Sequence, residues 1–422
     1  MRVHKFGGAS TNSPERRRKI STIISSFPKE ESSVIIFSAI GKTTNKLEEV
    51  VKAFMNGEKD EALRIFQEIK DDHIAFTGEL TSNHKQDACE KLREVFVEVE
   101  WLLHDNPVRP FDYYYDQVVS SGELLSSVIM HHLVRMAGVD AQFLDARDVI
   151  RTDANFREGN IDMAVTSEKM AAIVKPQIEK NAVIITQGFI GSTSDNENTT
   201  LGREGSDYTS AIFANTCGAE SLTIWKDVEA VMSADPRLYP SATILPELSF
   251  SEVIEMAYYG AQVIHPKTIK PLQNKGIPLY VKSFIDPSKP GTLISATGEK
   301  KLPPIIVIKQ NQVLMQFKSI DFSFVSGRLS EMLSEEFTSL NFYPNLTQNT
   351  AISLICCVDD RQDKIEKMAS VASTYFDVNV LKGVKLLTIR HHNEDIINEL
   401  IQPEKTLLMQ RTPETVQAIV YS

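Results

Sequence analysis

The stretch 182-AVIITQGFIGSTSDNENTTLGREGSDYTSA-211 passes from a β-branched run, through a polar segment, to two glycines, three charges and a small-residue apolar run. It reads as a strand over 182–189, a polar loop over 190–200 and a helix over 207–217, which is one strand-loop-helix step. Similar runs recur at 34-VIIFSA-39, 221-SLTIWK-226 and 277-IPLYVKSF-284, with helical stretches between them. That alternation predicts an α/β domain, a mainly parallel sheet covered by helices on both faces in three layers. Ligands of such sheets bind in the loops beyond the strand ends, where 199–208 falls.

The remaining composition sets limits. The chain has 422 residues, 42% hydrophobic and 24% charged, enough for two or three domains with real cores. Its 45 Lys+Arg against 56 Asp+Glu give a formal charge of -11, which disfavours nucleic acid and anionic membranes as partners. An anionic ligand must therefore meet a local basic site. Cys89, Cys217, Cys356 and Cys357 have neither CxxC spacing nor disulfide density, so a reducing, cytoplasmic setting is expected. Cys356 and Cys357 are neighbours in a strand-like run and should face opposite ways, as small apolar residues. The opening 1-MRVHKFGGAS-10 lacks an apolar signal core, and no apolar run approaches the roughly 20 residues of a membrane span.

From about 45 to 105 the pattern turns helical, with Leu47, Val50, Val51 and Phe54 and then Leu92, Val95, Phe96 and Val99 at helical spacing. A seam follows at 286-DPSKPGTLISATGEKKLPP-304, and the domain boundary is placed near Lys300, dividing 1–300 from 301–422. Beyond it the order is strand-like 313–320, helix-like 326–338, strand-like 350–358, helix-like 361–374 and strand-like 377–381, the rhythm of a ferredoxin-like βαββαβ unit. The leftover segments 304–309, 385–391, 405–411 and 415–421 suggest a second, split unit over about 303–310 and 383–422, with the first (about 311–382) inserted into it.

Several strand ends carry candidate chemistry. Lys5 precedes Gly7, Gly8 and Ser10, where glycines before a helix start form an anion cradle; a plain turn is an equally good reading of Gly-Gly alone. In 38-SAIGKTTNKL-47, Gly41-Lys42-Thr43 imitates a Walker motif, but the required glycine is Ile36. Ser38, Thr43 and Thr44 either donate to an anion or cap the next helix. Glu123, early in an amphipathic helix expected over 119–130, either serves the helix dipole or faces a substrate ammonium. Arg203 offers a planar fork for a carboxylate, Ser206 a hydroxyl, and Asp207 a charge at a helix start, suited to magnesium-bound nucleotide. Lys226 and Asp227 end a strand, and Asp235-Pro236-Arg237 follows a turn.

Together 5-KFGGAS-10, 38-SAIGKTTNKL-47, 121-SGEL-124, 186-TQGFIGS-192, 199-TTLGREGSDYT-209, 226-KDVEAVMSADPR-237 and 260-GAQVIHPKT-268, in this order over the whole chain, resemble the aspartokinases of the amino acid kinase family. The resemblance implies ATP-dependent phosphorylation of the L-aspartate β-carboxylate, with Mg2+ carried by ATP, as the first step toward lysine, threonine and methionine. It implies catalytic roles for Lys5 and Asp207, with Asp207 also organising the magnesium. Ser38, Thr44, Glu123, Phe189, Arg203 and Ser206 would surround aspartate. Lys5, Gly7, Gly8, Ser10, Lys226, Asp227, Met232 and Arg237 would line the nucleotide site. The tail resembles paired ACT domains, which implies an allosteric amino acid, lysine or threonine, held near Phe322, Gly327, Leu329, Gln348 and Asn349, and a homodimer or higher homo-oligomer.

The chain departs from the family pattern at named positions. Ala9 stands for a common threonine, Glu229-Ala230 for Pro-Gly, Met232 for tyrosine and Gln262 for a nucleotide-contacting lysine. Glu204 replaces a frequent glycine, and Pro344 stands where lysine-sensitive members carry an aspartate. Two rivals stay open: a non-catalytic amino-acid sensor on a dead kinase scaffold, against which Lys5, Arg203 and Asp207 speak together, and a sister kinase for another carboxylate.

Overall fold

The computed structural model describes residues 1–299, 301–325 and 327–421. Lys300, beside which the sequence reading sets the domain boundary, lies outside the described residues. Two compact units make up the chain. One holds Met1–Val231, Ile244–Ile254 and Val263–Glu299; the other holds Met232–Thr243, Glu255–Gln262 and the described residues after Glu299.

In the first unit the strands are β1 (Arg2–Phe6), β2 (Ser33–Phe37), β3 (Ala141–Phe143), β4 (Val183–Gln187), β5 (Ile190–Ser192), β6 (Asn198–Thr200), β7 (Ser221–Lys226), β8 (Glu247–Ser249), β9 (Leu279–Ser283) and β10 (Thr292–Ser295). An eight-stranded sheet takes the order β3-β4-β2-β1-β7-β9-β10-β8. It is parallel from β3 to β9, with β10 antiparallel to β9. Burial at all five β2 positions explains the unbroken apolar run Val34–Phe37, because both faces of the strand are covered.

Helices α1 (Pro14–Ser25), α2 (Thr43–Met55), α3 (Lys59–Phe76), α4 (Ser82–His104), α5 (Phe111–Val119) and α6 (Ser121–Met136) come first in the chain. Ile20, Ile23, Leu47, Val51, Leu125 and Ile129 from α1, α2 and α6 pack with Phe6, Phe37 and Trp225 into one core. Next come α7 (Met163–Lys169) and α8 (Lys175–Ile178), joined through a π-helical turn, then α9 (Gly205–Cys217), α10 (Phe250–Tyr258) and α11 (Pro266–Gln273). Helix α9 lies over β1, β2 and β7. Phe6 faces the α1 side, so its neighbour Lys5 faces α9 by strand alternation.

Two expectations change here. Helix α6 is not amphipathic: every residue from Ser121 to Met130 is buried, since it runs between α4 and strands β2 and β4. Serine hydroxyls make that burial tolerable by bonding carbonyls, Ser121 Oγ to Val118 at 2.6 Å and Ser127 Oγ to Leu124 at 3.0 Å. The expected loop 190–200 is a hairpin, β5 on β6, with Ile190 opposite Thr200. Its polar composition hides strands buried on both faces, with successive threonines Thr199 and Thr200 pointing opposite ways and both fully buried.

In the second unit β11 (Ile305–Ser319), β12 (Leu346–Asn349), β13 (Ser353–Asp359), β14 (Phe376–Arg390), β15 (Thr406–Arg411) and β16 (Thr415–Tyr421) form an antiparallel sheet in the order β12-β13-β11-β14-β16-β15. Helices α12 (Arg328–Ser339) and α13 (Gln362–Ala372) complete βαββαβ with the C-terminal part of β11, β12, β13 and the N-terminal part of β14. Beside it, the other halves of β11 and β14 pair with each other, β14 pairs with β16 and β16 with β15, with α14 (Glu394–Leu400) between β14 and β15 in the chain. The strand-like pieces 304–309 and 313–320 are therefore one strand. A register shift between Lys309 and Gln312, with Asn311 at φ 53°, absorbs the polar QNQ without breaking the ladder. Four-residue β12 buries only Leu346, too little to show an alternating pattern. Cys356 and Cys357 join different apolar clusters, and burial pushes both thiols up to about 12, so they pack as apolar residues. Among the described residues no helix is long and apolar enough to cross a membrane.

Candidate functional site

Strands β1, β2, β4 and β7 end in register at one edge of the sheet, Phe6 beside Phe37 and Trp225, and Phe37 beside Gln187. The residues just beyond these ends converge. Lys5 Nζ lies 2.6 Å from Asp207 Oδ1, both side chains largely buried. Asp207 sits in the first turn of α9, where the helix dipole favours an anion.

Gly7 and Gly8 follow. A Cβ at Gly8 would lie 2.3 Å from the Ala39 carbonyl oxygen, so no side chain fits. The Gly8 carbonyl accepts the Gly41 amide at 3.0 Å, which ties the β1 loop to the β2 loop. Ser10 is buried in the 3-10 turn Gly8–Ser10. In the β2 loop, the Ser38 amide donates to Phe6 O at 3.1 Å, and its carbonyl accepts Ser126 Oγ at 2.7 Å. Thr43 Oγ1 is spent on Ile40 O at 2.8 Å, whereas Thr44 is half-buried on the next position.

Glu123 is buried on α6. One carboxylate oxygen accepts the Ala39 amide, and Oε2 has no hydrogen-bond partner among the described residues. Burial pushes its pKa up to about 8, against the opposing pull of the Ala39 amide and the Lys5 charge. The carboxylate lies in the first turn of α6, where the helix dipole favours it, and it also has an oxygen to spare for a ligand. A buried acid with a free oxygen suits a cation that arrives with a ligand.

On the β4 side, Phe189 takes φ 71°, its amide donating to Thr209 Oγ1 at 2.9 Å. A Cβ at Gly188 would come within 2.5 Å of Ser206 Cβ, and one at Gly205 within 2.5 Å of Phe189 Cδ2. Those two glycines let this loop touch the start of α9, which brings buried Ser206 to the same edge. Arg203 is exposed beside it. Lys226 ends β7 and donates to Val263 O at 2.5 Å; Asp227 is exposed.

Met232 and Arg237 belong to the second unit, where Arg237 is exposed and forks onto Asp235, Nη2 to Oδ2 at 2.7 Å. Phe322 is exposed at φ 59°, with Lys318 Nζ 5.9 Å from its ring centre. Gly327 caps α12, Leu329 packs on the adjoining core, and Gln348 and Asn349 sit on β12 opposite Ile355 and Leu354.

Asp116 was missed. Fully buried on α5, its carboxylate accepts Thr200 N (2.8 Å), Thr200 Oγ1 (2.7 Å) and Arg157 N (2.9 Å). Burial pushes it up to about 6 despite those three donors. It anchors the segment leading to Arg203. An acid inside the apolar stripe Tyr115, Val118, Val119 was the available signal.

Comparison with known proteins fits this geometry. The amino acid kinase family matches residues 1–283. Aspartokinase 1, chloroplastic, of Arabidopsis thaliana is 32% identical over 407 residues, 92% of this chain and 70% of the relative. Lysine-sensitive aspartokinase 3 of Escherichia coli is 33% identical over 337 residues, 78% of this chain and 72% of the relative. Aspartokinase III of E. coli, solved with lysine and aspartate and with aspartate and ADP, superposes with TM-score 0.83 at 26% identity, covering 100% of this chain and 96% of that one.

Proposed function

The chain belongs to the amino acid kinase family and, within it, to the aspartokinases, and on that premise we propose how its strand-end site transfers the γ-phosphoryl group of ATP to L-aspartate. An oxygen of the β-carboxylate attacks the γ-phosphorus, the bond to the β,γ-bridging oxygen breaks, and 4-phospho-L-aspartate and ADP result. A carboxylate is already a nucleophile at neutral pH, so no general base is needed. The work is positioning and neutralisation of charge.

The observation that carries the reading is the free, buried Oε2 of Glu123 within the field of Lys5. It offers a carboxyl that the arriving substrate ammonium would draw into its ionised form, beside a cation suited to a moving phosphoryl group. Lys5 meets that phosphoryl charge, the backbone at Gly7 and Gly8 serves phosphate, and buried Ser10, its amide donating to Gly7 O at 2.9 Å, holds the turn of that nucleotide loop. Ser38, Thr44, Phe189 and Ser206 shape the aspartate pocket, and Arg203 forks onto a substrate carboxylate. Asp207 would be the acid that faces magnesium carried by ATP, which would neutralise phosphate charge there, and its buried carboxylate beside Lys5 fits that role. Lys226, Asp227, Met232 and Arg237 serve the nucleotide.

Residues 1–300 would form the catalytic domain and 301–422 a pair of ACT units, one inserted into the other. The tail would hold lysine or threonine near Phe322, Gly327, Leu329, Gln348 and Asn349 and pair two chains, in the cytoplasm. The long strands β11 and β14, shared by both halves of the tail sheet, support this reading.

Incubation with ATP, magnesium, aspartate and hydroxylamine tests the reaction: aspartyl hydroxamate is expected, and none at saturating ATP overturns it. Other carboxylates in the same assay separate a sister kinase, and added lysine or threonine identifies the effector. Arg203→Ala should raise the aspartate KM about a hundredfold while leaving the ATP KM within about twofold, as loss of a bidentate charged contact predicts. Equal losses for both substrates would move Arg203 out of the aspartate pocket.

A further inference from the structure

Glu204 has no role in the chemistry above, yet its backbone sits at φ 53°, ψ 29°, a left-handed conformation that glycine adopts without strain and a residue with a Cβ does not. The side chain supplies what a glycine would lack. Its Oε2 accepts the His265 amide at 2.8 Å. His265 is the N-cap of α11, and its ring Nδ1 accepts the Lys267 amide at 3.1 Å, so the proton of the neutral ring sits on Nε2.

One residue thus closes two helix starts. The Glu204 carbonyl accepts the Asp207 and Tyr208 amides at 3.0 and 3.1 Å and begins α9, while its carboxylate begins α11. Asn215 Nδ2, donating to Pro271 O at 2.7 Å, ties the same two helices further along. On the other side of Arg203, Asp116 holds Thr200, and the Leu201 amide donates to Phe189 O at 2.9 Å. Arg203 is the exposed residue between two carboxylate anchors. Because the Glu204 carboxylate is committed to the His265 amide, the guanidinium next to it in sequence keeps its fork for an incoming acid.

We propose that Glu204 is a positioning residue for the reaction, tying the Arg203–Ser206 segment to the start of α11 and so fixing the direction of Arg203 toward the substrate carboxylate. The proposal rests on the aspartate kinase reading.

Steady-state kinetics and amide exchange on full-length Glu204→Gly, Glu204→Ala and Glu204→Gln test it. The glycine and alanine variants should raise the aspartate KM about tenfold, the equivalent of one charge-assisted hydrogen bond, with the ATP KM within about twofold. Glu204→Gln keeps an acceptor oxygen and should stay within about twofold of the parent for both substrates. The His265 amide should exchange faster in Glu204→Gly, although glycine relieves the left-handed backbone and should leave the melting temperature unchanged or higher. A parental aspartate KM in Glu204→Gly overturns the proposal, as does Glu204→Gln behaving like Glu204→Gly, or a parallel rise in the ATP KM. Failure of the parent protein to form aspartyl hydroxamate would instead remove the substrate reading, while His265 exchange still reports the tether.

Discussion

Each compact unit contains a polar cluster, one gathered around buried Gln312 with Asp359 open to water and one around fully buried Glu123, and the two are finished differently. In the tail sheet, Asn345 Nδ2 donates to Gln312 Oε1 (2.7 Å) and Asp359 Oδ1 (2.9 Å), Gln312 Nε2 donates to Asp359 Oδ1 (3.0 Å), and Lys309 Nζ donates to Asn345 Oδ1 (2.6 Å). Burial acts to raise the Asp359 pKa, but these amides and Lys309 outweigh it and hold the group below the usual carboxylate range. At the strand ends of the first unit, Glu123 is by contrast buried, keeps an oxygen without a partner among the described residues and sits near 8. A closed network stabilises a fold, because every polar group regains in the protein the bonds it lost in water. An open one costs stability, and that cost is repaid only when a ligand arrives.

The comparison breaks if the open cluster is not where chemistry happens. Lys5→Met should lower kcat for hydroxamate formation about a thousandfold, the scale seen for removing one donor aimed at developing charge. Adding Asp207→Asn to that variant should cost little more, because paired groups act as a unit. A loss under about tenfold for Lys5→Met would take the pair out of the reaction centre.

A smaller and sharper effect is expected from pH. The folded value of Glu123, about 8, lies above its ordinary value of 4.5, so between the two the folded chain binds more protons than the unfolded one. The stability that this group contributes is fully present below about 4.5 and is lost as pH rises through about 8. A substrate ammonium needs the ionised acid, so the aspartate KM should fall by up to about tenfold per pH unit as pH climbs toward 8. Melting curves with and without aspartate would show the ligand's stabilisation growing over the same range. Glu123→Gln should flatten both profiles, and a parental pH profile in that variant would show that Glu123 does not meet the ammonium.

The closed cluster predicts the smallest kinetic effect. Asn345→Ala should cost about 1 kcal/mol in urea unfolding, because buried Gln312 loses a partner while Asp359 stays open to water, with the aspartate KM unchanged. A shift in that KM would show the clusters to be coupled.

Much of the site was legible along the chain. Lys5, Gly7, Gly8, Ser206 and Asp207 were singled out before any geometry because they lie at or near strand ends and helix starts, and Glu123 because it opens a helix in the motif 121-SGEL-124. Less legible were features whose signal is shared with something commoner. The hairpin β5–β6 is polar like a loop, β12 is too short to alternate, and α6 carries serines that imitate an exposed face. Asp116 and Glu204 are plain acids in sequence, and their roles come from amide donors about 40 to 84 and 61 residues away.

Periodicity and motif order were sufficient for the parallel sheet, the change of architecture in the tail, the family and the strand-end loops, because each is a local pattern of residue types repeated along the chain. The direction of each carboxylate was decided by folding alone. Asp207 meets Lys5, Glu204 meets the His265 amide, Asp116 meets Thr200 and Glu123 keeps an oxygen free, since an acid's charge state and partners depend on what tertiary packing brings near it and on how much water it takes away.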